Sequence, residues 1–274
     1  MLHKPLITLT TDFGYDDPFA GVMKGVIYEI NPETHIVDLT HSITRQNIFQ
    51  AAFVIGMNFH YFPKRSIHVV VVDPGVGSER RPILVATAGH YFIGPDNGVF
   101  SYVYKFAEEE PTVIHITSEH YFLKKDSPTF QGRDIFSPCA ARLSTGMDIR
   151  RFGERITDYR KIDLPMAVRN ENMLRGEVLF MDGFGNAITN IRKADILEIR
   201  KEFAGAAIQV SFKGRKIGFC RYYAQAENRG LTALLNSSDL LELFMYRGSA
   251  ASEHGIVPGD TVEVALSAAS TGSQ

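Results

Sequence analysis

Four consecutive valines close the stretch SIHVVVVD, Ser66 to Asp73, and no polar residue interrupts them. A strand with one wet face alternates polar and apolar side chains, so a continuous β-branched run belongs to a strand buried on both faces. Such a strand needs helices above and below its sheet. That is the arrangement of a doubly wound, mostly parallel α/β domain. The flanking sequence has the required alternation. LITLTTD (6–12) reads as a strand, and behind Pro18 the residues Phe19, Ala20, Met23, Val26, Ile27 and Ile30 recur at helical spacing. HIVDL (35–39) and NIFQAAFVIGMNFHYF (47–62) follow as strand and helix. RPILVAT (81–87) with HYFIG (90–94) reads as a hairpin, PTVIHIT (111–117) as a strand, and IFSPCAARLS (135–144) as a helix.

The rhythm changes near residue 165. GEVLFMD, NAITNI, AAIQVSF, RKIGFC, LTALLN, LLELF and DTVEVAL are short strands with turn residues between them, and ADILEIR is the helical insert of note. Closely spaced short strands predict a small sandwich or barrel. The expected division is therefore 1–165 and 166–274, joined through a polar, irregular linker over 151–172 that Pro165 interrupts. A Ser/Ala/Gly-rich tail is expected to fray.

Composition narrows the function. The chain has 274 residues, enough for a large core, and a formal charge of −2 supplies no positive field to attract nucleic acid or an anionic membrane. No apolar run approaches the roughly 18 residues of a membrane span. Cys139 and Cys220 lie in unrelated segments, which predicts neither a disulfide framework nor a zinc site and fits a reducing compartment. The first residues run directly into a strand and Asp12 without the pattern of a signal peptide, so a cytoplasmic location is expected.

In open α/β sheets ligands sit beyond the carboxyl ends of strands. Asp12 leaves the first strand and Asp73 the most buried one, each with glycine close behind. Both residues fit turn positions, yet two such ends in one sheet suggest a shared crevice. GVGSERR lacks the Gly-Lys-Ser/Thr of a triphosphate-binding loop, the dinucleotide fingerprint is missing, and no His-Glu-x-x-His occurs. Asp12, Asp16 and Asp17 could ligate magnesium, but Asp16 and Asp17 are better read as helix-capping residues. In the second half, MDGFGNAITN places Asp182, Phe184 and Asn186 within five residues. The sequence suits a tight hairpin turn, and it also suits a recognition loop with an aromatic face and an amide for a flat ring. Ser237 and Ser238 stand at another strand end.

Taken in order, TLTTDFGYDDPFAGVMKG, VDLTHSI, VVVVDPGVGSERR, GPDNGV, TFQGRDIF, MDGFGNAITNI and NSSDLLEL span nearly the whole chain. Together they resemble the S-adenosyl-L-methionine (SAM) hydroxide adenosyltransferases, adenosine-forming hydrolases related to fluorinase and chlorinase. The resemblance implies an α/β N-terminal domain, a small C-terminal β-barrel, and a homotrimer whose sites lie where one subunit's N-terminal domain meets a neighbour's C-terminal domain. It implies SAM as substrate and adenosine as product, with no cofactor and no metal. Asp12 matches the carboxylate that holds both ribose hydroxyls, and Phe184 and Asn186 match the adenine contacts. Asp182 and Ser237 match groups at the methionine end, and Phe130 matches an aromatic wall beside the ribose.

The same resemblance assigns the chemistry to an Asp, an Arg and a His. Asp73 and Arg80 match the first two. The halogenases of the wider group differ, with a tyrosine at the position of Asp73 and a threonine at that of Val76, and a carboxylate beside the nucleophile would repel halide. The histidine belongs where this chain has Gln131, which bonds as donor and acceptor but does not take a proton near neutral pH. Hydrolysis of SAM is the expected activity. A catalytically silent protein that holds SAM or adenosine is the rival reading, and transfer of the adenosyl group to another small nucleophile is a third.

Overall fold

The computed structural model describes residues 4–124, 128–203, 205–227 and 229–267. The chain divides into two compact units, Met1–Leu164 and Pro165–Gln274. The tail beyond residue 267, expected to fray, lies outside the described residues, as does Ser127 just ahead of the TFQGRDIF motif.

The first unit is built on seven strands: β1 (Leu6–Thr11), β2 (His35–Thr40), β3 (Ile67–Val71), β4 (Pro82–Ala86), β5 (Tyr91–Pro95), β6 (Thr112–Ile116) and β7 (Gly153–Ile156). Their order is β2-β1-β3-β5-β4-β6-β7. Ladders β1–β2, β1–β3 and β3–β5 are parallel, and β4–β5, β4–β6 and β6–β7 are antiparallel. Five strands (β1, β2, β3, β5 and β6) therefore run one way and two (β4 and β7) the other. Helices α1 (Phe19–Ile30), α2 (Ile48–Asn58), α3 (Ser101–Phe106) and α4 (Ser137–Ser144) complete the unit.

The valine run behaves as its composition demands. Ile67, Val69 and Val71 enter one core with Met23 and Ile27 of α1 and Cys139 and Ala140 of α4. Val70 and Val72 enter the other, with Ala51 and Ile55 of α2 and Val103 of α3. Both faces of β3 are thus covered by helices, and the strand has no solvated side on which a polar residue would be favoured.

The second unit contains β8 (Val168–Asn170), β9 (Met173–Met181), β10 (Ala187–Arg192), β11 (Ala207–Phe212), β12 (Arg215–Phe219), β13 (Thr232–Leu235), β14 (Leu240–Phe244) and β15 (Thr261–Ser267). Seven of them follow the order β10-β14-β13-β12-β11-β15-β9 and close through β9–β10, with β8 added outside β9. Closure leaves no exposed ladder between the first and last strands, and this resolves the sandwich-or-barrel alternative. Leu174, Val178, Ile191, Val210, Leu241, Leu243 and Val264 fill the interior. Helices α5 (Lys193–Glu202) and α6 (Ala250–His254) lie in the connections.

Several local expectations need correction. The stretch 151–172 contains β7 and β8, so the irregular segment between strands is only 157–167. Helices α3 and α6 are too short, six and five residues, to give a readable period. Asp16 and Asp17 do not cap α1: Pro18 holds the N-cap position and no side-chain cap bond forms. Among the described residues no helix is long and apolar enough to cross a membrane, and no cluster of three or more His, Cys, Asp or Glu is placed to hold a metal.

Candidate active site

Parallel pairing of β1 with β3 sets Thr11 against Val71, so Asp12 and Asp73 leave adjacent strands at the same end of the sheet. The chain passes from β1 through α1 to β2, then through α2 to β3. Because α1 and α2 cover opposite faces, these connections place a topological switch at β1, where a crevice is expected. Asp12 Oδ2 accepts the Gln46 N–H at 2.7 Å, fixing the carboxylate at the crevice. Gln46 itself is left-handed, at φ +64°.

Beneath that loop lies support the sequence analysis did not assign. Thr11 Oγ1 and His41 Nδ1 are 2.8 Å apart, and Gly14 N–H donates to His41 O at 2.8 Å. His41 Nε2 stands 3.1 Å from Asp38, whose other oxygen accepts from Lys24 at 2.6 Å. Burial works against the Asp38 charge, but the Lys24 bond and the adjacent His41 ring outweigh it and hold the carboxyl below its usual range. The signal for this support was the histidine within VDLTHSI.

After β3 the chain makes two tight turns, Val76 N–H to Asp73 O at 3.2 Å and Ser78 N–H to Gly75 O at 3.0 Å. Gly77 accommodates the reversal at φ +79°. The turns return Arg80 onto Asp73: Nε donates to Oδ1 at 3.0 Å and Nη2 to Oδ2. Their side chains are only 5% and 4% exposed, so this is a buried, bidentate pair. Arg80 Nη1 is also buried and has no protein partner among the described residues.

The 128–136 segment packs against this loop. A Cβ on Gly77 would lie 3.7 Å from Pro128 O, and the Arg80 guanidinium sits 5.5 Å from the Phe136 ring centroid. Gly132–Phe136 forms a π-helical turn, a departure from α geometry that often marks function. Gln131 occupies its N-cap position but makes no cap hydrogen bond. Its Oε1 is buried, again without a protein partner among the described residues. Phe130 packs edge-on to Phe13 and Phe19, at 5.9 and 5.2 Å between ring centres, and so joins this segment to the loop after β1. Asp12, Asp73, Arg80, Phe130 and Gln131 therefore belong to segments that meet at one end of the sheet.

In the second unit Asp182 organises the β9–β10 turn. Its Oδ1 accepts from Phe184 N and Asn186 N, each at 2.9 Å, and its Oδ2 accepts from Asn186 Nδ2 at 3.1 Å. Gly185, at φ +81°, is required: a Cβ there would come within 2.1 Å of Ser249 Oγ. The turn thrusts Phe184 outward, 82% exposed, against a cavity of about 650 Å³. Phe184, Asn186, Tyr223, Tyr246, Arg247 and Ser249 line it. Tyr246, Arg247 and Ser249 went unassigned in the sequence, although MYRGSA, directly after the LLELF strand, concentrates aromatic, basic and turn residues. Ser237 is exposed on the β13–β14 turn, and neither it nor Asp182 is in the cavity wall.

Residues 7–153 match the profile of the SAM hydroxide adenosyltransferase N-terminal domain, and residues 176–263 that of the corresponding C-terminal domain. An (R)-S-adenosyl-L-methionine hydrolase of Methanocaldococcus jannaschii is 35% identical, covering 94% of this chain and 95% of its own. The protein of the same name from Thermus thermophilus is 32% identical over 95% and 99%. A fluorinase of Nocardia brasiliensis is more distant, at 23% over 96% and 97%. The solved structure of an uncharacterized conserved protein from Thermotoga maritima superposes with a TM-score of 0.87 at 32% identity, covering 94% and 99%. With both halves matched in order and relatives similar along their length, the chain belongs to the SAM hydroxide adenosyltransferase family.

Proposed function

We propose that this protein hydrolyses SAM to adenosine and L-methionine by in-line attack of water on the 5′ carbon. The observation that carries the chemistry is the buried Asp73–Arg80 pair, with Arg80 Nη1 left as a free donor and the Gln131 Oε1 acceptor in the segment packed against it. The sulfonium leaves as a neutral thioether, so no acid is needed at the leaving group. The protein's task is to place water in line and to stabilise hydroxide character as the oxygen–carbon bond forms and the carbon–sulfur bond breaks. Asp73 and Gln131 accept the water's O–H groups, Arg80 offsets the developing charge, and the released proton passes by way of Asp73 to solvent. No step in this scheme calls for a metal or cofactor.

Asp12 holds the ribose hydroxyls, and Phe130 walls the ribose and the reacting carbon. Phe184 stacks on adenine while Asn186 hydrogen-bonds its edge. Asp182 and Ser237 take the ammonium and carboxylate of the methionine end. By the family resemblance the working form is a homotrimer in which neighbouring subunits complete each site, an arrangement that would account for the division of these roles between the two units, and its location is the cytoplasm. Halogenation is disfavoured by Asp73, whose charge repels a halide.

Incubation of the purified protein with SAM, followed by separation of the products, tests this reading. Equal amounts of adenosine and methionine are expected, with loss of turnover in Asp73→Asn. Gln131 is the observation on the side of a silent binding protein, and tight retention of SAM without consumption would establish that reading instead.

A further inference from the structure

Glu242, on β14, is 2% exposed, and its partners across the neighbouring ladders are the apolar Leu234 and Ile188. A carboxylate so placed is costly unless both oxygens are satisfied. They are: Oε1 accepts from the Tyr223 hydroxyl at 2.8 Å and Oε2 from Asn236 Nδ2 at 3.1 Å. Burial, with the Asp182 charge nearby, pushes the Glu242 carboxyl up despite those two donors. Neither donor is idle. Tyr223 lines the same cavity as Phe184 and Asn186, with its ring edge-on to Phe244 at 4.8 Å. Asn236 accepts the N–H groups of Ser238 and Leu240 at 2.9 and 3.1 Å, which shapes the turn that carries Ser237.

One buried carboxylate thus ties the aromatic cavity wall to the Ser237 turn. We infer that Glu242 is a positioning residue for substrate specificity: it fixes the separation between the surface that receives the purine and the turn that receives the amino-acid end. The inference rests on the hydrolytic reading above. An apolar residue at this position would remove the desolvation cost, but it would leave Tyr223 and Asn236 unpaired and let wall and turn move independently.

The test compares SAM with 5′-dimethylsulfonio-5′-deoxyadenosine, which keeps the nucleoside and the sulfonium and lacks the amino-acid arm. For Glu242→Leu, the KM for SAM should rise about 10- to 100-fold, the scale of a broken buried hydrogen-bond network, with a smaller change in kcat. The truncated sulfonium should lose markedly less, since it never uses the Ser237 turn. Glu242→Gln should recover most of the affinity, because its Oε1 can accept from Asn236 while its Nε2 donates to the Tyr223 oxygen. Tyr223→Phe, a gentler change, should weaken both substrates alike. Equal losses on both substrates in Glu242→Leu without rescue by glutamine, or an unchanged KM for SAM in Glu242→Leu and Tyr223→Phe, would overturn the inference. If the parent consumes neither substrate, it is the hydrolytic reading that fails. Calorimetry with SAM then decides: weaker binding by Glu242→Leu than by Glu242→Gln upholds the positioning role, and equal binding overturns it.

Discussion

Replacing Gln131 by leucine should lower turnover while leaving the fold intact. Gln131 Oε1 is buried without a protein partner among the described residues, and the side chain does not cap its helix. The oxygen is therefore open to accept from water, and leucine, of similar bulk, offers no acceptor in its place. Losing the proposed hydrogen bond to the attacking water removes about 1–3 kcal/mol from the transition state, a fall of roughly 5- to 150-fold. Product formation measures the fall, and thermal unfolding of the same preparation shows that the variant is folded. Gln131→His should instead raise turnover and add an ionisation near the ordinary imidazole value of about 6.5. A folded leucine variant as active as the parent would remove Gln131 from the chemistry and leave it as a packing residue.

Asp12→Ala should weaken adenosine binding by about 1.5–3 kcal/mol, the range for hydrogen bonds to a charged group, and calorimetry would show it. Mixing Asp73→Asn with Asn186→Ala should restore some activity once subunits exchange, because the proposed homotrimer with sites shared between subunits would then contain sites with both residues intact; no recovery after confirmed exchange would count against shared sites. Acid should destabilise the first unit through His68, which desolvation with the neighbouring His90 holds down at about 3. The unfolded state then binds the extra proton, so the contribution is complete above about pH 6.5 and is lost as pH falls from there toward 3, about 2 kcal/mol by pH 5. In urea titrations across this range, His68→Phe should flatten the slope.

Much of the architecture was legible because burial leaves periodic marks. The valine run required two covered faces, and β3 feeds alternate side chains into two cores. The hairpin of β4 and β5 and every barrel strand from β9 to β15 also appeared as apolar runs bounded by turns. What escaped were elements without a period. Residues 151–172 read as linker because β7 and β8, four and three residues long, are edge strands rich in charge. The π-helical turn has no signature separable from the helix it precedes. For the site, individual residue types were readable and their partners were not. Nothing in VDLTHSI states that His41 lies under the Asp12 loop, and nothing in LLELF states that its glutamate serves Tyr223 and Asn236. The Thr11–His41 and Tyr223–Glu242 contacts join residues 30 and 19 positions apart, and Asn236 reaches Glu242 across the β13–β14 turn, so strand pairing and turn geometry bring these groups together.

Turnover of SAM in oxygen-18-labelled water, with adenosine and methionine separated and weighed by mass spectrometry, tests the proposed attack of water on the 5′ carbon most directly. That attack puts one heavy oxygen in each adenosine, at the 5′ position, and none in methionine. Adenosine without the label, or a 5′ product other than adenosine, would contradict it.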